Sequence, residues 1–218
     1  RDRAQALQDL RMASELEPAH ISWYELTIEP NTWFHRHPPQ RPDEDTLWEI
    51  QHAGRAQLAA AGYARYEVSA YAREQQQSRH NLNYWQFGDY LGIGAGAHAK
   101  ITDAATQGIT RTAKQKHPRS YLDNAHSADR ISSSNPVTPE DARLEFAMNA
   151  LRLDRGFSVA TFNAATGLSY TDIEPIINRC MKAGLLEDDG QIYKASQKGQ
   201  RYLNELLQYW MPDTTDHA

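Results

Sequence analysis

The chain has 218 residues, 40% of them hydrophobic, enough to bury one sizeable core or two small ones. Its net charge of −5 argues against a general nucleic-acid binder, because binding to phosphates requires clustered lysine and arginine. No apolar run approaches the roughly 20 residues of a membrane span, and we identify no signal peptide, so a cytoplasmic protein is expected.

Cys180 is the only cysteine, and it falls within the apolar run of a predicted helix. A disulfide framework and a cluster held by several thiolates are therefore both excluded for this chain. The chain begins at Arg1, without an initiator methionine, and enters a helical pattern directly. We therefore expect it to be part of a longer protein.

The first half of the chain predicts helices that alternate with strands. Apolar residues spaced three apart predict a helix over 4–16, and residues 20–28 are apolar on both faces, as in a buried strand of a parallel sheet. Asp43 can cap a second helix over 44–61, and apolar residues alternate again over 66–70. This order predicts part of a parallel α/β sheet or barrel, where sites lie beyond the carboxyl ends of the strands.

Small residues dominate a glycine-rich segment in the middle of the chain. It consists of Gly92, Ile93, Gly94, Ala95, Gly96 and Ala97. The alternation predicts a strand end with little side-chain bulk on one face, against which a planar or nucleotide-like ligand could lie. Tight packing of that strand against a helix explains the pattern equally well.

An imidazole, carboxamides and large aromatic rings fall together within residues 80–85. In a helix, His80 and Tyr84 share one face, as do Asn81 and Trp85. Such a group offers a nitrogen ligand beside a stacking surface, as a tetrapyrrole or a base would need. Because a single histidine is more often structural than ligating, these residues alone favour a structural role.

Two further polar groups are weaker candidates. His35 and His37 lie in a proline-rich loop without a nearby carboxylate or cysteine set, so a solvated loop is expected there rather than a metal site. Glu25 and Glu29 are candidate polar contacts at the edge of the sheet. Capping or salt-bridge roles explain these two residues equally well.

The last third of the chain predicts a separate unit. The serine-rich segment 127–137 is interpreted as a linker, and Thr138 caps the helix that follows. Further helices and a hairpin through Asp189-Gly190 resemble a winged helix. Residues 139–211 include ten acidic and eight basic residues, with acidic side chains at the start of the would-be recognition helix. Repulsion there disfavours DNA, and packing onto the first unit is the favoured interpretation.

Four motifs in order resemble HemW-like proteins, a radical-SAM family of haem chaperones related to the oxygen-independent coproporphyrinogen dehydrogenase HemN. The motifs lie at residues 21–32, 62–72, 80–85 and 89–98. Four ordered matches are far more specific than any single one. The unit after the linker also resembles the C-terminal domain of this family.

The resemblance implies an α/β plus mainly α fold. The C-terminal part of a partial (β/α)6 radical-SAM barrel would occupy 1–126, a linker 127–137, and a winged-helix-like domain 138–218. Family members hold a 4Fe-4S cluster on a three-cysteine loop, and one iron binds S-adenosylmethionine. Those cysteines have no counterpart here, so both cofactors are expected only in the full-length protein, and no activity is expected from this chain alone.

The resemblance also implies the site residues, none of which is catalytic. His80 would be the ligand of haem iron, and Asn81, Tyr84 and Trp85 would complete the motif that is associated with haem. Thr27 would lie against S-adenosylmethionine. The glycine-rich segment would form a wall that faces the cofactor or the tetrapyrrole.

The implied function is a haem chaperone that binds haem and transfers it to recipient proteins, respiratory haem proteins among them. One alternative is a coproporphyrinogen III dehydrogenase, which decarboxylates propionates through a 5′-deoxyadenosyl radical. Another is a winged-helix interaction or DNA-binding module. A homodimer and peripheral membrane association remain open, and an unpaired barrel edge predicts that the chain aggregates on its own.

Overall fold

The computed structural model describes residues 2–212, and the chain divides into two compact units between Ser78 and Arg79. The helices and strands of the first unit are, in chain order, α1 (Arg3–Glu15), β1 (His20–Ser22), α2 (Trp33–Arg36), α3 (Glu44–Ala60), β2 (Ala64–Glu67) and β3 (Ala70–Ala72). The helices within residues 2–212 are too short or too polar to span a lipid bilayer.

The two long helices of the first unit begin at capping aspartates. The Asp2 carboxylate accepts the backbone N–H of Gln5, whose side chain accepts the N–H of Asp2 in return. The Asp43 carboxylate accepts the N–H of Thr46 at 2.7 Å, and this bond lowers the pKa of Asp43. The helices predicted over 4–16 and 44–61 are confirmed to within about one residue, because their signals are local.

The sheet of the first unit has the order β1-β3-β2, antiparallel at both contacts. β1 and β2 therefore run in the same direction, but β3 lies between them. The predicted strand over 20–28 is wrong beyond Ser22, because β3 pairs with only three of its residues, and Tyr24 and Leu26 are exposed. The prediction of one strand over 66–70 is also wrong, since the chain reverses between β2 and β3.

The core of the first unit joins α1 and α3 to this sheet. Its buried members are Leu10, Ile21, Leu58, Tyr63 and Tyr71. Trp23 packs against the same core, and its ring lies where a Cβ at Gly54 of α3 would be. The glycine therefore allows the indole to pack closely against the helix.

The second unit begins with α4 (Arg79–Trp85) and a three-stranded antiparallel sheet. The sheet has the order β4-β5-β6, with α5 before its last strand, and these elements are β4 (His98–Thr102), β5 (Ile109–Lys114), α5 (Pro118–Asp123) and β6 (Ile131–Pro136). The hairpin predicted about Gln107-Gly108 is confirmed, and Gln107 takes a φ of 58° in its turn.

The serine-rich segment predicted to be a linker over 127–137 instead contains β6, which pairs with β5 along its length. The Ser132 hydroxyl donates to the backbone oxygens of Ala113 and Lys114, at 3.1 Å each. The prediction was wrong because β6 is an edge strand whose side chains are mostly exposed, so it lacks the apolar alternation of a buried strand.

The rest of the second unit is a winged helix, as predicted. Its elements are α6 (Pro139–Ala150), β7 (Phe157–Ser158), α7 (Val159–Thr166), α8 (Glu174–Lys182), β8 (Leu186–Asp188) and β9 (Ile192–Ala195), followed by α9 (Gln197–Arg201) and α10 (Leu203–Gln208). The sheet order is β7-β9-β8. The single last helix of the prediction is divided, since Tyr202 leaves the helical conformation at φ −115° and ψ 48°.

Phe146 of α6 lies at the centre of the core of the second unit. Its ring meets those of Phe87, Phe157 and Phe162 edge to face, with centroid distances of 6.1, 5.0 and 5.1 Å. Phe87 belongs to the turn that follows α4. The same core therefore holds the winged helix and the end of α4 together.

Candidate functional site

The aromatic face of α4 carries the residues that the sequence singled out. His80 lies in the first turn, and its side chain is exposed. Tyr84, one turn later, meets the imidazole edge to face, with 4.9 Å between ring centroids and 66° between planes. The predicted shared face of His80 and Tyr84 is confirmed, because residues four apart in a helix are neighbours.

Tyr84 also contacts Tyr90, which connects α4 to the following sheet. The two tyrosine rings are 4.7 Å apart at 39°. The Tyr90 hydroxyl accepts a hydrogen bond of 2.9 Å from Nη1 of Arg111 on β5. Arg111 in turn pairs with the Glu145 carboxylate on α6. The exposed imidazole is thus linked through ring contacts and hydrogen bonds to the first helix of the winged-helix domain.

The pKa of the Arg111 guanidinium is raised by its contacts with Glu145 and Tyr90. Burial by itself lowers the pKa, but the hydrogen bonds and the negative charge of Glu145, with a smaller contribution from Tyr90, raise it above its usual value. The guanidinium is therefore charged throughout the accessible pH range. The pairing of Arg111 with Glu145 cannot be predicted from local spacing, because 34 residues separate them.

Lys100 of β4 anchors the turn between α4 and Tyr90. It is buried, and its Nζ donates to the backbone oxygen of Phe87 and to Oδ1 of Asp89, both at 2.9 Å. The Asp89 carboxylate also accepts the N–H and the hydroxyl of Thr102, at 2.7 and 2.8 Å. Phe87 has a φ of 59°, a left-handed conformation that these contacts hold in place.

Stability at acid pH should depend on Asp89. Burial alone raises the pKa of its carboxyl, but the bonds from Lys100 and Thr102 and the Lys100 charge outweigh burial, so the pKa lies below its usual value. The stabilisation is therefore present above the unfolded-state pKa of about 4 and is lost as pH falls through the folded-state pKa. The contribution is below about 1 kcal/mol, because the carboxylate is partly exposed and screened.

Urea unfolding at pH 5 and pH 3 measures this contribution. The wild-type chain should lose more stability between the two values than Asp89→Asn, which has no carboxyl group to titrate. Lys100→Met should lose an intermediate amount of stability between the two pH values, since Thr102 still donates to the Asp89 carboxylate. Equal losses in wild type and Asp89→Asn would show that Asp89 does not contribute.

The glycine-rich segment is a loop and not the predicted strand end. Gly94 and Gly96 have φ values of 103° and 70°, which interrupt any extended strand. The Gly94 N–H donates to the hydroxyl of Tyr121 at 3.3 Å, and the Gly96 N–H donates to the backbone oxygen of Gln115 at 2.8 Å. These bonds hold the loop against the chain that follows β5.

The loop begins directly after Tyr90 and carries exposed apolar side chains. Leu91 is 76% exposed and Ile93 is 86% exposed. His80 is connected to Tyr90, two residues before Gly92, through ring contacts with Tyr84.

Trp85 has different surroundings from His80. Its ring lies beneath the Arg152 guanidinium at 4.4 Å, and it lines a cavity of about 370 Å³ together with Phe146 and Leu153. The indole N–H is buried and has no hydrogen-bond partner among the described residues. The structure thus separates the motif, with His80 and Tyr84 paired on one face and Trp85 facing the core of the winged helix.

Thr27 lies in the first unit, exposed, in the irregular segment after β1. Nearby, Glu25 pairs with Arg41 at 2.9 Å, which confirms the salt-bridge interpretation of Glu25. His35 and His37 occupy α2 and its C-cap, where the His37 ring packs against Trp33 at 4.1 Å. Within residues 2–212, no three His, Cys, Asp or Glu side chains are grouped as a metal site.

A 4Fe-4S cluster does not fit the thiol chemistry of this chain. Such a cluster needs several thiolates, and Cys180 is the single cysteine. It is buried in α8, and this burial raises the pKa of the thiol to about 11. No chemical step through a cluster is therefore assigned to these residues.

The chain is similar in sequence to several known proteins. Residues 137–202 match the HemN C-terminal domain family. The chain is 43% identical over 209 residues to the heme chaperone HemW of Escherichia coli (strain K12), covering 96% of this chain and 54% of the relative. It is also 43% identical to the heme chaperone HemW of Haemophilus influenzae, covering 96% and 53%. The chain thus spans about half the length of the curated relatives it matches.

The fold has a counterpart among solved structures. Coproporphyrinogen III oxidase (HemN) from Escherichia coli, described as a radical SAM enzyme, matches with a TM-score of 0.70 and 15% sequence identity, covering 96% of this chain and 52% of that one. The predicted fold class is confirmed by this match and by the C-terminal domain. The chain is therefore similar to HemW in sequence and to HemN in fold, and its residues 137–202 match the HemN C-terminal domain family.

Proposed function

We propose that the chain takes part in binding haem and in passing it to recipient proteins, with His80 as the ligand of the haem iron. The observation that carries this proposal is the exposed imidazole at the start of α4, backed edge to face by Tyr84. The similarity to relatives named heme chaperone HemW supports haem as the cargo. Recipient haem proteins, respiratory ones among them, are the proposed partners, and the cytoplasm is the proposed compartment.

The surroundings of His80 suit a flat macrocycle with an iron at its centre. An imidazole nitrogen is a common axial ligand of haem iron. Tyr84 and Tyr90 form an aromatic surface beside it, and Leu91 and Ile93 present apolar side chains in the adjoining loop. Burial of this apolar surface against the porphyrin would add to the affinity.

S-adenosylmethionine and the 4Fe-4S cluster are proposed only for a longer protein. There, Thr27 is proposed to lie against S-adenosylmethionine, and the glycine-rich segment is separately proposed as a wall that faces a ligand. Thr27 is exposed, which leaves it accessible to a ligand. Haem binding through His80 is proposed to require neither group.

A haemin titration of the full chain tests the proposal. His80→Ala should weaken haemin binding at least tenfold and shift the Soret band, because the iron loses its nitrogen ligand. His52→Ala is the matched control, since His52 is an exposed histidine on α3. Unchanged affinity and an unchanged Soret band in His80→Ala would remove His80 from this role, as would an equal loss in His52→Ala.

A further inference from the structure

We propose that Glu145, on the first helix of the HemN C-terminal domain, is a positioning residue for His80 and acts through Arg111, Tyr90 and Tyr84. The inference rests on the proposed function, because His80 must be the haem ligand for its position to matter. Glu145 itself need not touch the ligand. The domain that carries it would then determine the geometry of a site that lies on another part of the second unit.

The first link is the ion pair between α6 and β5. Nε of Arg111 donates to both carboxylate oxygens of Glu145 at 2.9 Å, and Nη2 donates to Oε2. The side chains are 34% and 27% exposed, so water screens the pair only in part. Because the planar guanidinium is held through both Nε and Nη2, its orientation is fixed.

The second link is the hydrogen bond that leaves the other side of the guanidinium. Nη1 of Arg111 donates to the Tyr90 hydroxyl at 2.9 Å. The backbone of Tyr90 is held independently, because its N–H and oxygen both pair with Lys100, at 3.0 and 3.1 Å. Tyr90 is thus fixed at both ends, and its ring can adopt only a narrow range of orientations.

The third link transmits that orientation to the imidazole. The Tyr90 ring packs on Tyr84, and Tyr84 packs edge to face on His80. α4 has only seven residues, and so short a helix is not stable by itself. Its orientation must therefore come from packing, and the Tyr90 ring supplies the packing on the face that carries His80.

The experiment compares haemin binding and the spin state of ferric haem in the full chain and its variants. Glu145→Gln should weaken haemin binding about three- to tenfold and broaden or shift the EPR signal of the ferric haem, because the imidazole samples several orientations. Tyr90→Phe should do the same, since it keeps the ring and loses only the hydroxyl. Arg111→Lys keeps the positive charge but cannot contact both Glu145 and Tyr90 as the guanidinium does. It should therefore retain only part of the wild-type haemin affinity. Glu140→Gln, an exposed position on the same helix, should change neither quantity.

A double-mutant cycle separates positioning from a general structural effect. In a His80→Ala background, Glu145→Gln should cause no further loss of affinity, because the residue acts through His80. Additive losses, or an EPR signal unchanged in Glu145→Gln, would overturn the inference. If His80→Ala alone leaves haemin binding intact, the proposed function fails. If His80→Ala weakens binding but Glu145→Gln does not, only the inference about Glu145 fails.

Discussion

Replacement of Phe146 by alanine should lower the free energy of unfolding by about 3–5 kcal/mol. The ring is fully buried and makes edge-to-face contacts with three other phenylalanine rings, so alanine removes both the apolar contact area and these contacts. The surrounding helices and strands can close only part of the resulting cavity. Because Phe87 is one of the three partners, the loss should also loosen the turn that follows α4.

Urea unfolding of the full chain, followed by tryptophan fluorescence, measures this effect. Trp85 and Trp210 both contact the affected core and report on it. Met148→Ala is the matched control, because it removes a half-exposed side chain from the same helix and should cost less than about 1 kcal/mol. If Phe146→Ala proved as stable as Met148→Ala, the Phe146 ring would not be a major contributor to the stability of this core.

Replacement of Gly92 by alanine should cost about 1–3 kcal/mol and weaken haemin binding. A Cβ at this position would overlap the backbone oxygen of His98, and backbone atoms cannot move aside as a flexible side chain does. The loop would have to move away from the start of β4. That movement would disturb the adjacent backbone pairing of Tyr90 with Lys100, and with it the aromatic surface beside His80.

Gly94→Ala provides the matched control two residues away. Gly94 has a φ of 103°, but a Cβ there would meet nothing within 4 Å, so its cost is confined to backbone strain of about 1–3 kcal/mol. Haemin affinity therefore distinguishes the two variants better than stability. Gly92→Ala should lose at least threefold in affinity and Gly94→Ala less. The reverse order would show that the packing of Gly92 on β4 does not support the site.

The pairing of His80 with Tyr84 could be predicted because it depends on residues one helical turn apart. The other members of the site could not. Arg111 meets Glu145 across 34 residues, and Lys100 meets Asp89 across 11, so neither partner can be identified from local spacing. A buried lysine in an otherwise ordinary hairpin gives no local pattern that distinguishes it from an exposed one.

The capped helices, the hairpin about Gln107-Gly108 and the winged-helix pattern were all predictable from local sequence, because caps, turns and periodicity act over a few residues. Three features emerged only from the folded chain: β3 lies between β1 and β2, residues 131–136 form an edge strand, and the glycine-rich segment is a loop. All three features have one cause. Strand pairing and positive φ values are selected by contacts between distant segments, and a one-dimensional pattern contains no record of which segments meet.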